Sequence, residues 1–202
     1  MTNPLALVLC LLPAALLVAQ PAPERVQPGV ISTERNETFP MVDPVDGSLW
    51  FSVYDRGFDN QTIMVARPDG LGGWTAPSVA PFSGTYGDRA PRLSPDGQRL
   101  FFTSNRPAPG MAENVMRIWM VERHGNGWSA PTVLPPPVNG ADWRTMHSAQ
   151  AADGSLYIAS YRPGGAGRAD IYRVTRQGDT WGEAIPLAAP INDAIGQQRK
   201  GV

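Results

Sequence analysis

Short runs in which apolar and polar residues alternate recur along the chain, each closed by a turn rich in Gly, Pro, Asp and Asn. The clearest is 88–106, DRAPRLSPDGQRLFFTSNR. There a strand at 90–93 runs into Ser94-Pro95-Asp96-Gly97, and a second strand leaves the turn at 100–103. Proline presets φ and glycine supplies the positive-φ position, so this order between two apolar runs predicts a hairpin. The Asp-Gly pair recurs at Asp46-Gly47, Asp96-Gly97 and Asp153-Gly154, spaced 50 and 57 residues apart. After each comes an aromatic-aliphatic strand, LWFSV, LFFTS or LYIAS, and then an arginine: Arg56, Arg106 or Arg162. Third strands are predicted at 62–67, 116–122 and 170–175. Trp74, Trp128 and Trp181, spaced 54 and 53 apart, each open a fourth: WTAPSV, WSAPTV and WGEAIP. Outside 5–19 no segment keeps a helical period, so helix should be scarce.

Four strands per unit at a period near 50 predict an all-β chain, a β-propeller of four-stranded antiparallel blades. Three blades are expected, as a partial ring, at 37–86, 87–142 and 143–190. A leader at 21–36 precedes them, and 191–202 reads as the truncated start of a fourth repeat. Closed propellers have about four to eight blades, so the chain is expected to be a piece of a longer protein. Each blade must bury both faces by stacking on its neighbours. The second-strand aromatics and the repeated tryptophans are expected to fill that layer, with a carbohydrate platform as the alternative for the tryptophans.

The pattern SPDG-x-x-L-x-F-x-S-x-R, with Asp170-Ile171-Tyr172 further on, resembles the WD40-like propeller repeat of the TolB type. The central unit matches at Ser94, Pro95, Asp96, Gly97, Leu100, Phe102, Ser104 and Arg106. The third keeps Asp153, Gly154, Leu156, Ile158, Ser160 and Arg162, with Ala151-Ala152 in place of Ser-Pro. The first inserts a residue before its turn, DPVDG. The resemblance implies an exported propeller, and such propellers serve as binding proteins, lyases and gating domains of peptidases.

Composition narrows this further. The chain has 202 residues, 42% hydrophobic, with 17 basic and 18 acidic residues and no long run of either sign. A non-specific nucleic-acid partner would require a basic face, and none is present in the pattern. The run LALVLCLLPAALLVA at 5–19 is too short to span a bilayer, which takes about 20 residues. It reads as the apolar part of a signal peptide, residues 1–20, with a small-residue exit around Ala19-Gln20-Pro21-Ala22. Cleavage would leave a periplasmic or secreted protein without membrane attachment. It would also remove Cys10, the only cysteine, and with it any thiol nucleophile or Cys-based zinc site.

Candidate chemistry is sparse. His124 falls in a turn, whereas His147 lies on the first strand of the third unit, the strand that lines a propeller's channel. Ser148 is adjacent and points to the other side of the strand, the wrong geometry for a nucleophile and its base. The units open on Glu37, Asp88 and Thr145, and an acid-arginine pair would fix each following loop. A ring of arginines reading an anionic partner is the alternative. The expected ligand-binding residues are Arg56, Arg106, Arg162, Trp143 and His147, near loops at 55–61, 107–114 and 163–168. No catalytic group, metal or cofactor is expected. The expected function is non-catalytic binding of a protein, peptide or glycan at the loop face. The alternative is a fragment of a propeller lyase or hydrolase whose catalytic groups lie in missing blades.

Overall fold

The computed structural model describes residues 22–54 and 61–193. The signal segment, Arg56 and the stretch from 194 onward fall outside the described residues. Thirteen strands and no helix make up the described chain. The first sheet has the order β1 (Asn36–Val42), β2 (Leu49–Tyr54), β3 (Gln61–Ala66), β4 (Ser78–Val79). The second runs β5 (Asp88–Leu93), β6 (Arg99–Ser104), β7 (Arg117–His124), then β8 (Gly127–Trp128), with β9 (Thr132–Val133) also on β7. The third runs β10 (Thr145–Gln150), β11 (Leu156–Ser160), β12 (Asp170–Gln177), β13 (Thr180–Pro186). Every pairing within the sheets is antiparallel, and all but β7–β9 join strands consecutive in the chain.

One departure from four strands per unit has a direct cause. Pro131 interrupts the edge of the second sheet, because a proline nitrogen has no hydrogen to donate to the ladder. The edge therefore splits into β8 and β9. Pro77 stands at the same place in the first unit, where Trp74 makes only an isolated bridge with Pro68. In the third unit Ala184 replaces the proline and pairs with Val174, so β13 runs unbroken over seven residues.

Side chains that alternate along a strand fall on opposite faces, and the cores divide accordingly. Trp50, Ile63 and Val65 of the first sheet meet Leu100, Phe102, Trp119 and Val121 of the second. Phe101 and Ile118, on the second sheet's other face, meet Leu156, Ile158, Tyr172 and Val174 of the third. The middle sheet is thus buried on both faces. The free face of the first sheet, with Leu49, Phe51 and Val53, is capped by Ile31 of the leader. Gln27 helps to hold that cap, accepting from Trp74 N at 2.9 Å and donating to its carbonyl at 3.1 Å. Trp74, Trp128 and Trp181 each pack against a different one of these three cores.

Each Asp-Gly turn takes the expected form. Gly47, Gly97 and Gly154 have φ of 73°, 68° and 81°, a region that a Cβ disfavours. The preceding carboxylates accept the backbone N–H two residues on, from Ser48, Gln98 and Ser155.

Candidate functional site

The site grows from a fault shared by the three first strands. In β1, β5 and β10 the register slips at the same place, and one non-glycine residue adopts left-handed φ: Phe39 (53°), Ala90 (53°) and His147 (50°). Such a conformation costs on the order of 1–3 kcal/mol and persists only where its surroundings enforce it. Two of the three precede a proline, Pro40 and Pro91, which disfavours the right-handed helical region and removes a ladder donor. In the third strand Ser148 takes the proline's place. A hydroxyl on the preceding sheet secures the turned-out backbone. Ser52 accepts from Ala90 N at 2.9 Å, and Thr103 accepts from His147 N at 3.2 Å.

These bulges draw the first strands of all three sheets together. The rings of Phe39 and His147, from the first and third sheets, lie 5.2 Å apart. Between them stands β5 with Arg89 and Arg92. Arg92 lies 5.8 Å from the Phe39 ring and donates to the carbonyls of Phe39 and Pro91. Arg89 directs Nη2 at the Met146 sulfur, 3.6 Å away, while its Nε is buried with no partner. Neither arginine forms an ion pair among the described residues. His147 reaches solvent, yet partial burial, reinforced by the charges of Arg89 and Arg92, lowers its pKa below the usual histidine range. Burial likewise lowers the pKa of Arg92. The assembly is a cationic, aromatic-lined surface with a neutral imidazole. Ser148 is buried while its neighbour His147 is exposed, so the two do not form a nucleophile-base pair.

The other expected site residues lie elsewhere. Arg106 is 8% exposed and binds Asp88 at 2.8 Å, the Phe82 carbonyl at 2.9 Å and Ser104 Oγ at 3.0 Å. Its guanidinium also stacks on Phe102 and Trp119. Arg162 has no acid at the matching place, because Thr145 stands where Asp88 does. It donates instead to Ser160 Oγ and the carbonyls of Pro137 and Val138, 4.3 Å over the Tyr172 ring. In the first sheet the equivalent of Asp88 is Glu37, opposite Val53, and its carboxylate accepts from Thr33 N. Trp143 packs against Gly140, where an added Cβ would meet its ring at 2.1 Å, and lies 5.8 Å from Arg162. That loop is fixed by Arg117, buried on β7, which donates to the carbonyls of Ala112, Val115, Gly140 and Ala141.

Two features escaped the sequence reading. Phe-Pro and Ala-Pro inside the first strands were the available signal for the bulges. Asn139 and Asn192, in the outgoing loops, imitate a strand edge. Each accepts from and donates to one isoleucine, Ile118 or Ile171. Ser83 plays a reduced version in the first unit, accepting from Ile63 N at 3.1 Å. Among the described residues no three metal-ligating side chains cluster, and no helix is long and apolar enough to cross a membrane.

No family model and no curated protein matches the chain. Among solved structures, a puromycin-hydrolyzing peptidase from Mycobacterium tuberculosis is similar at 17% identity and a TM-score of 0.52. The match covers 76% of this chain and 24% of the peptidase, so the chain spans about a quarter of that protein's length. At that identity the likeness concerns the fold alone. A fucose lectin from Kordia zhangzhouensis, in complex with methyl-fucoside, aligns at 11% identity and a TM-score of 0.37. That match covers 74% of this chain and 96% of the lectin, and at such a score nothing is drawn from it.

Proposed function

We propose that the chain forms three blades of an exported, TolB-like β-propeller and acts as a non-catalytic binding module for a peptide or glycan. The binding surface is the face where the three first strands meet. One observation supports this above the rest: the same left-handed bulge recurs in each first strand and brings Phe39 of the first sheet to His147 of the third. A strained element repeated three times around one surface is better accounted for by a ligand-facing rim than by packing. In this reading Arg106 and Arg162 hold the loops beside the rim, and Trp143 stands at its border.

The test is a peptide and neutral-glycan panel titrated against the isotopically labelled protein, with the shifted signals mapped. Binding should perturb Phe39, Arg92 and His147 and leave every probe chemically intact. Turnover of a probe, or binding confined to the exposed face of the third sheet, would overturn the reading. Export has a separate test, since the N-terminus of the secreted protein should fall near Gln20 to Ala22.

A further inference from the structure

The described arginines in the interior divide into two kinds. Arg106 and Arg123 meet carboxylates, and Arg117 and Arg162 meet several carbonyls. Arg89 meets only a thioether sulfur, a weak acceptor, and its Nε has no acceptor at all. A buried donor left unmade costs about 1–3 kcal/mol, so the fold keeps Arg89 under-satisfied at the centre of its proposed binding face. Arg92, three residues on, has its Nη1 held by two backbone carbonyls and has no acid nearby to neutralise it. No carboxylate acts on His147, since the charges around it are those of Arg89 and Arg92. Thr103 from β6 and Phe39 from β1 complete its surroundings without adding charge.

We infer that Arg89, Arg92 and His147 form a carboxylate-binding subsite, and that its occupant is an acidic peptide whose apolar part lies along the Phe39 ring. This rests on the binding-module reading and deepens it. The planar fork of a guanidinium matches the two oxygens of a carboxylate. The Phe39 face and the Met146 sulfur provide apolar surface beside that charge, which a bare inorganic anion would leave unused. Bringing a negative charge to this surface also removes the penalty against imidazolium. Binding should therefore raise the pKa of His147 and strengthen as pH falls toward the lowered pKa of the free imidazole.

The experiment titrates the full chain with three probes: N-acetyl-Ala-Phe as the free acid, the same peptide as its amide, and N-acetyl-Glu-N-methylamide. The ring signals of His147 report each titration. At least one acid should bind, raise the His147 pKa and exceed the amide in affinity by about tenfold or more, as expected when charge-assisted hydrogen bonds are gained. The free terminal acid against the glutamyl probe tells a chain end from an acidic side chain. Arg89→Gln should weaken the acid about tenfold and leave the amide unchanged. Arg89→Lys should recover part of the loss, and neither variant, each lacking the unmet Nε, should lower the urea midpoint. Equal affinity for acid and amide overturns the inference. So does binding of a neutral glycan alone in the wider panel, which would leave the broader reading standing. If no probe of any class perturbs this face, both fall.

Discussion

The two joints between sheets use the same repeat and end up differently secured. At the first joint Arg123 of β7 crosses to Asp43, forming a tight ion pair between side chains 9% and 0% exposed. The same guanidinium donates to the Gly97 carbonyl at 2.9 Å and lies 4.5 Å over Trp128. Beside it the rings of Trp50, Phe82 and Phe102 stack and Trp128 meets Trp50 edge-on, at centroid distances of 5.1 to 6.0 Å. At the second joint the equivalent arginine, Arg176, turns back to the Gly178 carbonyl and Asp179. A cleft of about 140 Å³, lined by Asp96, Arg99, Gln150 and Arg176, remains between the turns. The difference traces to one position. Asp43 in the first unit is matched by Ser94 in the second, so an arginine arriving from the next sheet finds a carboxylate in one case and a hydroxyl in the other.

The largest expected effect breaks that asymmetry at its source. Asp43→Ala removes the buried partner of Arg123 and leaves only the partly exposed Asp46 at 3.8 Å, a loss of about 3 kcal/mol. Arg176→Ala at the looser joint loses its contact with Trp181 and an ion pair to a fully exposed carboxylate, and should cost clearly less. Urea denaturation of both variants measures the contrast. Similar losses would mean that the two joints are equally secured.

A second pair of substitutions probes the bulges from behind. Ser52→Ala removes the acceptor of the buried Ala90 N–H and should cost about 1–3 kcal/mol. Thr103→Val removes the matching acceptor at the second joint. There His147 N is only partly buried, so water can replace the lost hydroxyl and the penalty should be smaller. If Thr103→Val proved the more damaging, the second joint would be the drier of the two.

Much of this was legible in the chain. The Asp-Gly turns, the second and third strands and the repeated tryptophans announce themselves, because turn chemistry and period-two alternation are local properties. Pro77, Pro131 and Ala184 even state which edge strands break. The extra residue of DPVDG was visible too, but not its purpose: Val45 lies over Gly97, where an added Cβ would approach it to 2.6 Å, while Asp43 receives Arg123 from 80 residues away. The candidate site shows the same limit. His147 could be placed on an inner strand from its position in the repeat. Arg89 and Arg92 carry no local signal that sets them apart from other polar positions. Only the non-local meeting of three bulges sets them together, and no pattern within one repeat encodes it.

The smallest predicted effect concerns acid. Asp96, whose carboxylate accepts from Ser94 Oγ and Gln98 N, has its pKa lowered by those bonds, the serine first. A carboxyl whose folded pKa lies below its unfolded value of about 3.8 stabilises the fold above that value. The contribution disappears as pH falls through the lower, folded value. Asp96→Asn lacks it at every pH, so its urea midpoint should decline less between pH 7 and pH 3 than that of the parent. The Asp96 turn borders the cleft of the second joint. Asp46, by contrast, also lies 3.8 Å from Arg123, within the locked joint. Burial raises the Asp46 pKa, but the hydrogen bonds from Ser48 and the charges of Arg123 and Arg67 outweigh it and lower the pKa, so Asp46→Asn should flatten the acid limb as well. An unchanged acid limb in both variants would mean that neither turn carboxylate contributes.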